Sequence, residues 1–300
     1  MSCYRPVKGY HTTDPVTRKT TFVRSTSKLK GWGIRQVVPC GHCDGCRRKK
    51  RDDWAIRCTH EAKLYKRNTF LTLTYDDEHL PMYGSLVPAH LDRFLDNLRK
   101  HYSRRPFRFF AAGEYGEKFK RPHYHVILFD YWPEDARKAM GSEYYGSAKL
   151  DKLWKKGFVS IGDVNYQSAA YIAKYTLKEP LGVKKTDHIE ERFDAIGYRL
   201  VEIDPEFHKQ TRGLGKKWLE KYWTDYYPAD YCILLTQNGF VKKEPPLYYD
   251  RWLRDKKPEV YTQVKLKRME NEREELTETR LAQIELSKRR NASIMKKGKL

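Results

Sequence analysis

Two histidines one residue apart, His123 and His125, are the side chains in this sequence best placed to bind a metal ion together. Residues 123–129, His-Tyr-His-Val-Ile-Leu-Phe, have the composition of a β-strand, and alternate side chains of a strand point to the same face. Both imidazoles then lie on one face, while Tyr124 packs on the other. The pair is either a two-point metal clamp or two surface histidines, and the spacing alone does not separate these interpretations.

A carboxylate lies where it would complete such a clamp. Residues 107–113 predict a second strand, joined to 123–129 by a basic loop, so the two strands are expected to pair as a hairpin. Glu114 then falls nearly opposite His123, and directly paired residues have Cβ atoms about 5 Å apart. We expect Glu114 to be the third metal ligand. Glu117 is a less favoured substitute because it lies in the loop.

Two tyrosines, Tyr171 and Tyr175, are spaced for one face of a helix. Residues 167–178 predict that helix, and residues four apart on a helix project from the same side. Lys174 and Lys178 lie beside the tyrosines. The alternative is that both tyrosines pack half-buried with their hydroxyls satisfied. Alanines and aliphatic residues of the same segment, however, offer an apolar surface that can hold the helix to a sheet without them.

Together these residues suit phosphoryl transfer. A divalent cation, Mg²⁺ or Mn²⁺, bound by His123, His125 and Glu114 can polarise a scissile phosphate. A tyrosine hydroxyl is a nucleophile that forms a covalent intermediate, but its ordinary pKa near 10 means that it needs help from a cation or a base. Lys174 can neutralise a phosphate as a point charge. Two tyrosines allow two successive transfers.

A second cluster is built from cysteines. Cys40, Cys43 and Cys46 form C-x2-C-x2-C, a spacing at which thiolates wrap a structural Zn²⁺. A fourth ligand is required, and Cys3 is the favoured one, with His42 as a local option. Cys58 is poorly placed, because a continuous helix would separate it from Cys46 by about 18 Å. Reduced structural thiols or an iron–sulfur cluster are the alternatives.

The elements around these residues predict an α+β fold with an antiparallel sheet of about five strands and helices packed on it. From residue 70 to 178 the order is strand, helix, strand, strand, a weakly patterned stretch, strand and helix, which is close to a split β-α-β plan. The strands are predicted at 70–75, 107–113, 123–129 and 157–164, and the helices at about 91–102 and 167–178.

Four segments follow from composition and pattern. Residues 1–66 form a cysteine-rich basic segment, of which the first 39 are expected to be irregular, and 67–182 form the core. Residues 183–260 are an aromatic and basic extension packed on the core. Residues 261–300 are strongly charged and predict an exposed helix or a partly disordered tail.

The charge points to a polyanionic partner. Lysine and arginine number 60 against 39 acidic residues, a net charge of +21, and 22 tyrosines raise the aromatic share to 14%. Phosphate contacts release counterions, and aromatic rings stack on unpaired bases, so single-stranded DNA fits both features. The candidate DNA-binding residues are Arg47, Arg48, Lys49, Lys50, Arg51, Lys118, Lys120, Arg121 and Lys178. For each run alone, a solvated charged face is the alternative.

The chain shows neither a secretory signal nor an apolar run of the about 20 residues that a membrane span needs. We therefore expect a cytoplasmic protein with no membrane partner.

Five separated segments of this sequence resemble one family. FLTLTY (70–75), GEYGEKFKRPHYHVILF (113–129) and SAAYIAKYTLK (168–178) look like the three motifs of the HUH endonucleases. They are most similar to the replication initiators of gokushovirus-type microviruses, as are PCGHCDGCRRKKRDDWAIRC (39–58) and RGLGKKW (212–218). The likeness covers most of residues 1–250. In place of the aliphatic residue between the histidines this chain has Tyr124, which should point away from the metal.

The resemblance implies a ferredoxin-like or RRM-like HUH nuclease core, a metal held by His123 and His125, and nucleophilic roles for Tyr171 and Tyr175. It implies a nick in single-stranded DNA at a replication origin, leaving a 5′-phosphotyrosine and a free 3′-hydroxyl for the host polymerase, with a host helicase as a further partner. The second tyrosine would cut the regenerated origin, and the displaced circle would be rejoined. The setting would be a bacterial cytoplasm.

Three rival interpretations remain. A non-catalytic zinc-containing nucleic-acid-binding protein explains the charge, cysteines and aromatics but leaves the histidines and tyrosines as coincidence. A relaxase or transposase would share the motifs. A two-histidine, one-carboxylate iron oxygenase fits the basic charge poorly.

Overall fold

A computed structural model describes most of the chain. The described residues are 3–14, 16–18, 20–24, 35–102, 107–174, 189–194, 197–236, 239–270 and 277–297. The chain divides into two compact units, one made of 1–50 with 267–300 and the other of 51–266. Each unit has buried apolar residues of its own.

Fourteen strands and eight α-helices lie in the described part of the chain. The strands are β1 (Val7–Thr13), β2 (Thr20–Arg24), β3 (Arg35–Val38), β4 (Asn68–Tyr75), β5 (Arg108–Tyr115), β6 (Pro122–Phe129), β7 (Arg137–Lys138), β8 (Tyr145–Gly146), β9 (Gly157–Gly162), β10 (Ile189–Asp194), β11 (Gly197–Glu202), β12 (Phe207–Gln210), β13 (Cys232–Thr236) and β14 (Gly239–Lys243). The helices are α1 (Asp44–Ala62), α2 (Pro88–His101), α3 (Ala148–Trp154), α4 (Tyr166–Lys174), α5 (Lys216–Tyr222), α6 (Leu247–Lys256), α7 (Pro258–Glu270) and α8 (Glu278–Lys297).

An antiparallel sheet organises the larger unit. Over the described ranges it has seven strands in the order β12-β5-β6-β4-β9-β8-β7. β4 and β5 each pair antiparallel with β6 between them, and α2 connects them, which is the split β-α-β plan. The predicted α+β class is confirmed. The expected five strands are the five longer ones, while β7 and β8 have two residues each and are too short to give a pattern in the sequence.

One face of the sheet packs against α2 and α3. Leu91, Phe94, Leu95 and Leu98 recur at helical spacing along α2 and are buried. From the sheet they meet alternate residues of β6, Tyr124, Val126 and Leu128, which are fully buried in the same cluster. The side of β6 that carries these residues is therefore closed by apolar packing.

The opposite face carries α1, α4, α5 and α6. Ala169 and Ile172 of α4 join a second buried cluster that includes Phe110 of β5 and Ile127 of β6. This is the apolar attachment predicted for the helix, and it leaves α4 held against the sheet without help from Tyr171, which is 44% exposed. The two histidines of β6 lie on this face, at its edge.

A buried carboxylate ties α1 to the segment before α5. Glu61 Oε1 accepts a hydrogen bond from Nε of Arg108 at 2.6 Å, and Oε2 accepts one from the backbone N–H of Gly215 at 2.7 Å. Gly215 has a φ of +76°, and a Cβ added there would lie 2.5 Å from Oη of Tyr249. Only glycine therefore fits this position of the segment RGLGKKW.

The smaller unit corrects one expectation. The sequence predicts irregular structure for residues 1–39, yet β1, β2 and β3 form an antiparallel sheet in the order β2-β1-β3. Their weakly alternating, Gly- and Thr-containing sequences resemble loops until the strands pair. The same unit contains α8, whose Leu281 and Glu285 are buried, so this part of the charged tail is a packed helix.

Residues 183–260, which the sequence left without assigned elements, supply an edge strand of the main sheet and two hairpins. β12 pairs with β5, while β10 pairs with β11 and β13 with β14. Their assignment depends on pairing with distant residues, so local periodicity gives little signal. Each helix in the described ranges is too short or too polar to cross a membrane.

Candidate active site

Three metal-ligand side chains converge at the open end of the β5–β6 hairpin. Glu114 pairs directly with His123 in the strand register, as the sequence predicted. Oε1 of Glu114 lies 2.6 Å from Nε2 of His123 and 2.7 Å from Nε2 of His125. Potential ligand atoms of all three residues lie within 4.8 Å of one another. The period-two geometry of β6 aims both rings at one carboxylate.

The far side of each ring has its own partner. Nδ1 of His123 donates a hydrogen bond to the backbone carbonyl of Arg121 at 3.1 Å, and Nδ1 of His125 lies 3.0 Å from Oγ1 of Thr72. A carbonyl accepts only, so the proton of neutral His123 is on Nδ1 and its Nε2 lone pair faces Glu114. Partners of this kind orient histidines that bind metals.

The donor set calls for positive charge at its centre. With lone pairs of Nε2 and a carboxylate oxygen at 2.6 Å, either a proton or a cation must lie between them. Burial opposes ionisation of Glu114, yet the hydrogen bonds from His123 and His125 outweigh it and hold the carboxyl pKa at about 2. Two imidazoles and an ionised carboxylate are ligands that Mg²⁺, Mn²⁺ or other divalent ions accept, so the residues fit a metal site.

The two histidines differ in their electrostatics. Burial lowers the pKa of each, and Glu114 raises it. For His123 the carboxylate prevails and the pKa is raised, whereas for the more deeply buried His125 desolvation prevails and the pKa is lowered. His125 is therefore the ring that remains neutral most readily, as a metal ligand must.

Tyr171 completes the cluster. Its hydroxyl donates a hydrogen bond to Oε1 of Glu114 at 3.2 Å, and its ring meets that of His125 edge-on, with centroids 5.1 Å apart. Burial and the Glu114 carboxylate raise the pKa of Tyr171 above its ordinary value of 10.0. The phenol is thus protonated at neutral pH and must lose its proton before it can act as a nucleophile.

The start of α4 fixes where Tyr171 points. Asn165 Oδ1 accepts from the N–H of Ser168 at 2.8 Å, and Ser168 Oγ accepts from the N–H of Asn165 at 2.9 Å. This reciprocal arrangement caps the first turn of the helix. Tyr171 follows one turn later, on the side away from the buried Ile172.

Lys174 lies near the cluster but has a different partner. Its Nζ donates to Oε1 of Glu117 at 3.1 Å. Glu117, the less favoured metal ligand, lies exposed in the β5–β6 turn as expected, outside the group formed by Glu114 and the two histidines. Tyr175 and Lys178 lie outside the described residues.

The β5–β6 turn carries the predicted basic loop. Lys118 and Lys120 lie at the surface, and Nζ of Lys118 is 5.0 Å from the centroid of the Phe119 ring. Arg121 is anchored, because Nη2 donates to the carbonyl of Tyr75 at 2.9 Å and Nη1 lies 2.7 Å from Asp77. The loop thus joins the site directly, with its two lysines as the more exposed charges.

The other basic run lies in the first turns of α1. Arg47 is exposed, while Arg48, Lys49, Lys50 and Arg51 are half-buried. Arg48 donates to the hydroxyl of Tyr4 and Arg51 to Oδ1 of Asp52. Part of this charge is therefore committed to contacts within the protein.

The predicted cysteines also come together. Cys3, Cys40, Cys43 and Cys46 place their sulfur atoms within 4.8 Å of one another. Cys58 lies elsewhere, fully buried in the apolar core beneath the main sheet. His42, the local alternative, is exposed and outside the cluster.

The sequence did not single out Thr72. β4 pairs with β6 so that Thr72 lies opposite His125, and its hydroxyl holds the ring. The alternation of FLTLTY places Thr72 and Thr74 on one face, but only the pairing of β4 with β6 shows that the histidines share it. Thr72 is a positioning residue of the site.

Comparisons with known proteins agree on one family. A family model for replication-associated proteins of the ORF2 type matches residues 68–180, which include the whole site. Replication-associated protein ORF2 of Spiroplasma virus 4 is 33% identical over 84% of this chain and 80% of its own length. Replication-associated protein VP4 of Bdellovibrio phage phiMH2K is 33% identical over 90% and 84%.

Replication-associated protein ORF4 of Chlamydia phage 1 is 34% identical over a shorter stretch, 52% of this chain and 42% of the relative. No solved structure shows significant similarity to the chain.

Proposed function

The chain belongs to the replication-associated protein family of the microviruses, and from this premise we propose that it starts phage replication by nicking single-stranded DNA at the origin. The nick would be made by a tyrosine hydroxyl with the help of a divalent cation. The protein would stay attached to the 5′ phosphate, and the free 3′-hydroxyl would prime the host polymerase. Its place of action would be the host cytoplasm.

The convergence of Tyr171 on Glu114 carries this proposal. A nucleophile and a metal-ligand triad come from three separate elements, α4, β5 and β6, and meet with the phenolic oxygen 3.2 Å from the carboxylate. A tyrosine that only packed would have no need of a carboxylate beside two histidines. An exposed fraction of 44% leaves its hydroxyl open to a substrate.

Each residue then has a defined task. Glu114, His123 and His125 would hold Mg²⁺ or Mn²⁺, which supplies polarisation of the scissile phosphate and stabilises charge on the leaving oxygen. Thr72 and the carbonyl of Arg121 keep the two rings in place. Lys174, close to the same helix face, would exchange Glu117 for a phosphate oxygen.

The chemical step is balanced without any further reactant. Oη of Tyr171 forms a bond to phosphorus and the bond from phosphorus to the 3′-oxygen breaks. The phenolic proton is lost to Glu114 or solvent, and the 3′-oxygen gains one. Because one phosphodiester replaces another, the reverse reaction can rejoin the strand. Tyr175 would perform the second transfer after one round of copying.

Trapping the covalent adduct tests the proposal. The purified chain is incubated with single-stranded oligonucleotides that tile the encoding genome, with Mg²⁺, Mn²⁺ or EDTA, and resolved by denaturing electrophoresis. We expect a slower-migrating protein–DNA band with one oligonucleotide, absent with EDTA, and peptide mapping to Tyr171 or Tyr175. A chain that binds DNA but forms no adduct with any oligonucleotide would instead be the non-catalytic binding protein.

A further inference from the structure

We propose that Cys3, Cys40, Cys43 and Cys46 bind one Zn²⁺ as a tetrathiolate that holds the smaller unit together. The sulfur atoms of Cys3 and Cys43 are 3.9 Å apart, and those of Cys40 and Cys46 are 4.0 Å apart. A zinc ion at the centre of a tetrahedron with bonds of about 2.3 Å requires sulfur separations of about 3.8 Å. The four thiols thus already have nearly the spacing of a mononuclear site.

The backbone supports four thiolates rather than four thiols. N–H groups of Tyr4, Cys40 and Cys43 each point at a cluster sulfur, at 3.3 to 3.4 Å. Such donors stabilise negative charge on metal-bound sulfur. Gly41, with a φ of +82°, makes the tight turn that lets Cys40 and Cys43 face one point.

The spacing also separates zinc from the alternatives. All six cysteines of the chain are free, so the cluster is not a pair of disulfides. Clusters with two or four irons hold their outer thiolates farther apart than one tetrahedral ion does, whereas here every cluster sulfur is within 4.8 Å of the others.

The composition of the smaller unit shows why a metal would matter. In its described part, the buried apolar cluster consists of Cys3, Tyr4 and Cys43, with Cys40, Cys46 and Ile284 of α8 packed against it. The cysteines are thus most of the core. So small an apolar core is insufficient by itself, and structural zinc commonly supplies the missing free energy. The ion would join the N-terminus, the turn before α1 and the contact with α8.

Metal analysis of the full-length protein tests the inference independently of any nuclease activity. We expect one zinc per chain by plasma mass spectrometry after purification without added metal. After chelation, Co²⁺ should produce sulfur-to-cobalt charge-transfer absorption and tetrahedral d–d bands. Iron in place of zinc, or a chain that is folded yet binds neither ion, would overturn the inference.

Substitutions at Cys3 separate coordination from packing. Cys3→Ala keeps a small apolar side chain, whereas Cys3→His keeps a metal ligand. If zinc is bound, the histidine variant retains zinc and the alanine variant loses it and becomes protease-sensitive in the smaller unit. If the thiols only pack, alanine is the better tolerated. Cys58→Ala, which removes a thiol from the other buried core, is the matched control and should retain one zinc.

A second inference, which rests on the proposed function, concerns the open part of the sheet beside the active site. Strand register places Glu114, His123, Thr74 and Phe158 in one row across four strands, on the same face. Phe158 is 70% exposed, two strand spacings or about 10 Å from His123. An aromatic ring thus stands in solvent beside the metal-ligand cluster.

The same face continues to the edge of the sheet. Tyr144 is 58% exposed, and its ring lies over Gly162, where an added Cβ would be 3.7 Å from it. Between the rings of Phe158 and Tyr144 the surface is formed by Ser160, and a Cβ at Gly146 would meet open space. Arg137, exposed on β7, is the register partner of Gly146 and adds positive charge at the edge.

We infer that this surface, defined by Phe158, Ser160, Tyr144 and Arg137, binds unpaired bases of the DNA strand being cut. Two exposed rings separated by small polar residues suit successive bases, and Arg137 suits a phosphate. Because the surface adjoins Glu114 and His123, a strand lying on it leads directly to the nucleophile. Duplex DNA would present no base faces to these rings.

Binding measured without metal tests this surface separately from nicking. Fluorescence anisotropy with a labelled oligo-dT in EDTA should show a rise in Kd of about fivefold or more for Phe158→Ala and for Tyr144→Ala, the lower end of what one stacked base contributes. Phe158→Trp should restore binding. Phe240→Ala removes an equally exposed ring, 77% exposed, from the β13–β14 hairpin and should bind as the unaltered chain does.

The outcomes are distinguishable. If the unaltered chain forms a covalent adduct but the alanine variants bind like Phe240→Ala, the surface assignment is wrong and the nuclease stands. If the unaltered chain forms no adduct yet the variants lose affinity, the surface binds DNA and the nuclease proposal fails.

Discussion

The phenolic hydroxyl of Tyr171 donates to the same oxygen of Glu114 that contacts both His123 and His125, at 3.2 Å against 2.6 and 2.7 Å. A single carboxylate oxygen is thus the meeting point of nucleophile and metal ligands. This places the attacking atom and the cation-binding atoms around one phosphate-sized space. The predictions below follow from that relationship and from the fold that maintains it.

His125→Ala should abolish nicking, and His123→Ala should do the same. Each removes a nitrogen ligand, whereas affinity for DNA comes mostly from phosphate contacts and should change by less than about threefold. Adduct formation and anisotropy measure the two effects. His79→Ala, which alters an exposed histidine paired with Asp76, is the control. A double variant of His123 and His125 that nicks normally would contradict the site assignment.

Tyr171→Phe should remove any adduct at this position while leaving stability within about 1 kcal/mol, since the ring and its packing remain and one partly exposed hydrogen bond is lost. Combined with Tyr175→Phe it should abolish adducts altogether. Each single variant should support one transfer at most. Peptide mapping identifies the attached residue, and Tyr166→Phe on the same helix serves as control. An adduct at another tyrosine would show that a different hydroxyl attacks.

Affinity for single-stranded DNA should fall steeply with salt. Each phosphate neutralised contributes a slope of about 0.7 in log Kd against log salt. Replacing Lys118 and Lys120 by alanine should lower that slope by about one, because these lysines of the turn leading to His123 are the more exposed charges there. Titrations between low and physiological salt measure it. A nearly flat response would mean that the charge of +21 serves another purpose.

Glu61→Ala should destabilise the larger unit by about 3 kcal/mol, because it leaves the side chain of Arg108 and the N–H of Gly215 without their buried partner. Urea unfolding measures the loss. Glu78→Ala, at an exposed position, should cost little. Equal stability of the two variants would show that the buried carboxylate is not a structural tie.

The local part of the site was readable from the sequence. A strand has a period of two, so His123 and His125 had to share a face and Tyr124 had to oppose it. The hairpin then placed Glu114 beside His123, and the helix motif put Tyr171 on the exposed side of α4. These relations depend on neighbours within about ten residues, for which backbone geometry alone sets direction.

Other relations were decided by tertiary structure alone. That Thr72 holds His125, that Lys174 meets Glu117, that Cys3 is the thiol joining Cys40, Cys43 and Cys46, and that Phe158 shares a row with the histidines all require pairings between distant segments. Such pairings depend on how apolar surfaces pack and how strands register, and neither leaves a periodic trace in the residues concerned. The sequence by itself determined which residues carry the chemistry and which way they face on their own strand or helix, and the folded chain decided which distant residues they meet, because packing between elements is a property of the whole core.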